Sequence, residues 1–200
     1  YRVRAVGAAL TSGSSGTVST HTTIAAPSGQ QETNRTTTSF TARWGGVSGA
    51  HSYRLDVAVT SNFSSLVSGY SNLNVGNATS RSVTGLTPGR NYYYRVRAVG
   101  LHVTSGTSSA VTAHTTMPAP GVVQETQNAS TSFTARWGGV SGAHSYRLDV
   151  ATTSNFSSLV SGYSNLNVGN ATSRAVTGLT PGRNYYYRVR AVGLNHASGS

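Results

Sequence analysis

Hydrophobic and polar residues alternate along this chain with a period of two. Phe40, Ala42 and Trp44 are separated by Thr41 and Arg43, and Tyr53, Leu55 and Val57 by Arg54 and Asp56. Successive side chains of a strand point to opposite faces, so each run predicts a strand with one buried face. A third run, Asn91 to Val99, places Tyr92, Tyr94, Val96 and Ala98 on one face and Tyr93, Arg95 and Arg97 on the other. Gly45-Gly-Val-Ser-Gly-Ala50 joins the first two runs with a turn of hairpin length. Shorter strands are expected near 30–34, 64–70, 79–84 and 109–115. About seven strands per unit, with turn signals every 8–12 residues, predict an all-β antiparallel sandwich of the immunoglobulin-like kind.

The pattern repeats. Tyr1-Arg-Val-Arg-Ala-Val-Gly7 recurs at Tyr94 to Gly100 and at Tyr187 to Gly193, each 93 residues on, and Trp44 maps by the same shift onto Trp137. Between 38–100 and 131–193 only Val59/Thr152 and Ser82/Ala175 differ, whereas 8–37 and 101–130 have diverged. Residues 1–23 therefore read as the C-terminal strands of a preceding unit, 24–117 as a complete unit, and 118–200 as a unit lacking its last strand. Two explanations follow: the chain is an excerpt of a longer periodic polymer, which is preferred, or the N-terminal strand of one chain completes the open unit of the next.

Trp44, Tyr53, Leu86 and Tyr92, with their copies Trp137, Tyr146, Leu179 and Tyr185, are the expected core. The Trp of the second strand, the Tyr opening the third, and the run Leu86-Thr-Pro-Gly-Arg-Asn-Tyr92, repeated at Leu179 to Tyr185, resemble the fibronectin type III domain. The resemblance implies a tyrosine corner, in which the Tyr hydroxyl bonds to upstream backbone. More narrowly, Ser39 through Gly100 is similar to the tandem type III repeats of large secreted or surface bacterial proteins, which implies an extracellular or cell-surface location.

Charge sharpens the surface. All 15 basic residues are arginine against four acids, a formal charge of +11, and there is no cysteine to form a disulfide or a thiolate metal site. The outward residues Arg54, Tyr93, Arg95 and Arg97, and Arg147, Tyr186, Arg188 and Arg190 in the second copy, form a candidate face for anionic polymer or carbohydrate. Guanidinium forks match carboxylates and sulfates and stack on aromatic rings. The competing reading is a cross-strand ladder that only stabilises an exposed sheet. No recognition helix accompanies the arginines, so specific nucleic-acid binding is not expected. No apolar run approaches the ~20 residues of a membrane span, so this segment is not expected to insert.

Catalysis finds no support. Glu32 and Asp56 have no reason to converge, and Ser residues sit in no G-x-S-x-G elbow. The six histidines lack zinc-ligand spacing, and no cofactor is implied. The expected function is a non-catalytic, semi-rigid spacer in an extracellular bacterial fibre, stalk or giant adhesin, with neighbouring identical units or chains as partners. The alternative is an accessory module that binds carbohydrate through the Arg/Tyr face.

Overall fold

Alternation builds two β-sandwiches in series. A computed structural model describes residues 1–8 and 10–194, and of Val122, Val123, Gln124, Thr126 and Gln127 the backbone alone. The far end of the expected 118–200 unit lies outside the described residues.

The first sandwich packs two antiparallel sheets. One has the order β1-β2-β5, from Gln31–Thr33, Phe40–Arg43 and Ser80–Val83. The other has the order β4-β3-β6-β7, from Leu73–Asn74, Ser52–Ala58, Asn91–Val99 and Val111–His114. The longest strand, β6, alternates buried and half-buried residues along its whole length, as period two requires. Phe40, Trp44, Leu55, Val57, Tyr94 and Val96 meet in one core with exposures of 0–4%.

The second sandwich repeats the first with β8 (Val122–Ala129), β9 (Ser132–Trp137) and β12 (Ser173–Val176) in one sheet. Its other sheet has the order β11-β10-β13, from Leu166–Asn167, Ser145–Ala151 and Tyr186–Val192. β8 differs from β1: it is longer and pairs Val123 with Arg136, then returns through an irregularity to pair Thr126 with Thr134. This divergence follows from the sequence, since the connectors are where the repeats differ.

One expected strand is corrected. Residues 64–70 form a train of turns with a single bridge, Ala58 to Leu66, and the strand on this edge is Leu73–Asn74. Val57 bonds to both arms of the train, its carbonyl accepting from Val67 N–H at 2.8 Å and its N–H donating to Tyr70 O at 2.9 Å. The segment thus folds back over β3.

Tyrosine hydroxyls lock the crossings. Tyr92 accepts from Thr87 N–H at 2.8 Å and Tyr185 from Thr180 N–H at 2.9 Å, which is the expected corner in both units. Tyr53 closes the 45–50 turn by accepting from Val47 N–H at 2.8 Å, and Tyr146 does the same with Val140. Tyr94 reaches across the sandwich to the carbonyls of Gln31 and Arg43, at 2.8 and 3.1 Å.

The units meet through small residues. Met117, 8% exposed, belongs to the second core, as its counterpart Ile24 packs on the first. A Cβ on Gly89 would overlap the Met117 methyl, and one on Gly142 would lie 2.5 Å from Pro88 O. Turn 86–89 of the first unit therefore abuts the 138–143 turn of the second.

Candidate functional site

The arginine face is built on β3 and β6, whose register sets Arg54 opposite Arg97 and Asp56 opposite Arg95. Strand alternation alone would leave Asp56 in solvent. Instead it is 4% exposed, because the 59–72 segment covers it. Its Oδ1 accepts from Asn72 N–H at 2.7 Å, while Oδ2 accepts from Arg95 Nε at 3.1 Å and lies 3.5 Å from Arg97 Nη2. Arg97 Nη2 also donates to Asn72 Oδ1 at 3.1 Å, and Arg54 Nη1 to Asn72 O at 3.4 Å.

Phe63 closes the cluster from above. Its ring lies 4.2 Å from the Arg95 guanidinium carbon, and it occupies the left-handed region at φ 59°, unusual for a bulky residue. A local turn holds it there: Ser64 N–H donates to Asn62 Oδ1 at 3.0 Å, and Val59 N–H to Ser65 O at 2.9 Å.

The second unit reproduces the arrangement. Asp149 accepts from Asn165 N–H at 2.6 Å, from Arg188 Nε at 2.9 Å and from Arg190 Nη2 at 3.3 Å, with Phe156 4.4 Å from Arg188. Arg147 donates to Asn165 O at 3.3 Å. Burial alone would raise the Asp149 carboxyl, but the Asn165 N–H and the Arg188 and Arg190 guanidiniums outweigh it and hold it below the ordinary range.

All eight residues singled out from the sequence thus share one face per unit. Arg95, Arg97, Arg188 and Arg190 are engaged with the aspartates, with side-chain exposures of 30–40%, whereas Arg54 and Arg147 bond to the Asn72 and Asn165 carbonyls. Tyr93 is half-buried opposite Thr112, whereas Tyr186 is 39% exposed. Sequence reasoning missed Phe63, Asn72, Phe156 and Asn165. The only signal was a Phe directly after the Asn of a polar, turn-rich run.

Among the described residues no group of three His, Asp or Glu side chains is placed to hold a metal ion. Glu32 bonds to His114 N–H at 3.0 Å and lies 3.7 Å from Arg35, on a different sheet from Asp56. No described helix is long and apolar enough to cross a membrane.

Fold and site define tandem all-β sandwich modules whose charged side chains are tied into their own sheets. The fibronectin type III domain model matches residues 25–114 and 118–199, and the chain belongs to that family. Modules of this family are typical of extracellular structural and adhesion proteins, and the fold is typically non-catalytic. The chain is 30% identical over 149 residues, 72% of its length, to receptor-type tyrosine-protein phosphatase eta of Gallus gallus. It spans only 9% of that protein. Among solved structures, a two-domain fibronectin type III segment of chicken tenascin superposes with a TM-score of 0.67 at 19% identity, covering 86% of this chain and 94% of that one.

Proposed function

We propose that this chain is a semi-rigid spacer in an extracellular fibre, stalk or giant adhesin of bacterial origin. The observation that carries the reading is the joint: Met117 and the Pro88–Gly89 turn press one unit onto the next, with Pro118 and Pro120 restricting the connector. Near-identical units with a fixed joint supply length rather than varied recognition. The bacterial context rests on the likeness of residues 39–100 to large bacterial repeat proteins.

Electron microscopy of native material tests this. The expected result is extended particles with an axial repeat of roughly 30–45 Å, from strands of about ten residues at ~3.3 Å each. Compact particles without that repeat would overturn it.

One observation favours a second reading, in which the arginine face binds anionic polysaccharide. Two guanidiniums face each aspartate, leaving surplus positive charge on a partly exposed surface. Salt-sensitive retention on a uronic-acid or sulfated polymer, lost in Arg95→Ala with Arg97→Ala, would support it.

A further inference from the structure

Charges meet across the long strands of each unit in two ways. Asp56 faces Arg95 and Asp149 faces Arg188, opposite charges that attract across the ladder. Two residues back along the same strands, Arg54 faces Arg97 and Arg147 faces Arg190. Like charges set directly opposite one another destabilise a sheet, and here the mismatch is built twice.

The aspartate relieves it only in part. Asp56 Oδ2 lies 3.1 Å from Arg95 Nε and 3.5 Å from Arg97 Nη2, and Asp149 Oδ2 lies 2.9 Å from Arg188 Nε and 3.3 Å from Arg190 Nη2. Among the described residues Arg54 and Arg147 make no ion pair. The Nε atoms of Arg97 and Arg190 are buried without a hydrogen-bond partner among the described residues. Three guanidiniums around one carboxylate leave each cluster with positive charge that its own sheet does not neutralise.

An uncharged group holds the opposed pair together. Asn72 accepts from Arg54 Nη1 through its main-chain oxygen at 3.4 Å and from Arg97 Nη2 through Oδ1 at 3.1 Å, while its N–H donates to Asp56 at 2.7 Å. Asn165 makes the same three bonds to Arg147, Arg190 and Asp149, at 3.3, 3.1 and 2.6 Å. Both asparagines occupy the left-handed region, at φ 51° and 52°, which this residue type tolerates. An amide clip thus fixes two guanidiniums beside each other without cancelling their charge, so the ordering cost of gathering them is met before a ligand arrives.

We propose that Arg54 with Arg97, and Arg147 with Arg190, form an oxyanion fork, each pair taking one carboxylate or sulfate group of an anionic polysaccharide. All four arginines are half-buried, so the fork is open to solvent on one side. The site belongs to the second reading above and stands only with it, but its ligand moves from Arg95 to Arg54. Arg95 is the arginine closest to Asp56 and carries the Phe63 ring at 4.2 Å, whereas Arg54 has only a carbonyl. With that ring already on Arg95, it is no platform for a nucleobase, which favours polysaccharide over nucleic acid. A polymer long enough to span both units meets two forks, and the second contact is intramolecular.

Retention of the full chain on immobilised polygalacturonate, with dextran sulfate as competitor, tests the fork. Arg54→Gln with Arg147→Gln is expected to weaken binding about tenfold, as loss of a charged hydrogen-bonding partner implies. Arg81→Gln with Arg174→Gln removes the same charge from exposed sites on the other sheet and is expected to leave binding unchanged. As a readout that needs no variant, polygalacturonate raises the thermal unfolding midpoint of the unmodified chain by relieving the opposed pairs. Equal weakening in the two variants reduces the effect to net charge and overturns the fork, as does a midpoint that polymer leaves unmoved. Binding lost in Arg95→Ala with Arg97→Ala but kept in Arg54→Gln with Arg147→Gln overturns the fork and leaves the second reading standing, whereas no retention of the unmodified chain overturns both. A duplex DNA fragment that competes as well as dextran sulfate overturns the assignment to polysaccharide. The better competitor of free galacturonate oligomers and dextran sulfate identifies the oxyanion as carboxylate or sulfate.

Discussion

Asp56 shows how one side chain can reverse the meaning of a surface. Facing solvent, three arginines and a tyrosine would be a cationic patch; around a buried carboxylate Arg95 and Arg97, with the Asn72 N–H, become the shell that makes its burial tolerable. Asp56→Asn removes the charge while keeping the shape, and hydrogen bonds to charged groups contribute about 1.5–3 kcal/mol. The expected outcome is destabilisation of that size, read from the midpoint of urea unfolding. The pH dependence has a definite sign at the second copy. Because the folded Asp149 carboxyl ionises below its ordinary range, the unfolded chain takes up its proton first on acidification. Its contribution is complete above the ordinary carboxyl value and disappears as pH falls through the folded one.

At the scale of elements, tyrosine hydroxyls do the joining that disulfides do elsewhere. Tyr94 ties β6 to β1 and β2, and burial pushes its hydroxyl from 10.0 up to about 12, with Arg43 O opposing the rise. In the unfolded chain this phenol ionises first, so its stabilisation is complete below pH 10 and lost as pH rises towards 12. Tyr94→Phe should cost about 1–3 kcal/mol at neutral pH by orphaning its partners, and should flatten the alkaline fall in unfolding midpoints measured from pH 9 to 11. The long strands were legible because Phe40–Trp44, Tyr53–Val57 and Tyr92–Ala98 alternate without interruption. The 59–72 segment was not, because its structure comes from side chains capping turns, with Asn62 bonding Ser64 and Asn72 bonding Asp56, and such bonds leave no period. The candidate face was legible as to its arginines and illegible as to its ring and amide, for the same reason. β4, two residues long, falls below what alternation can register.

For the molecule as a whole, the joint distinguishes two glycines that the repeat makes equivalent. Gly49 and Gly142 both have positive φ, at 80° and 82°, so alanine is strained at either. Only at Gly142 would the added methyl also meet Pro88 of the preceding unit; at Gly49 it meets Ile24 at 3.7 Å. Gly142→Ala should therefore lower the thermal midpoint more than Gly49→Ala. It should also broaden the spread of inter-unit distances measured by paired spin labels, which Gly49→Ala leaves unchanged.

Met117 lies three residues beyond the last residue of β7, yet its side chain sits in the next unit's core. Tension along the chain that strips β7 from the first sandwich therefore pulls directly on the stopper of the second. Rupture under load passes from unit to neighbour through this residue, so the force traces of a stretched chain carry correlated steps rather than independent ones.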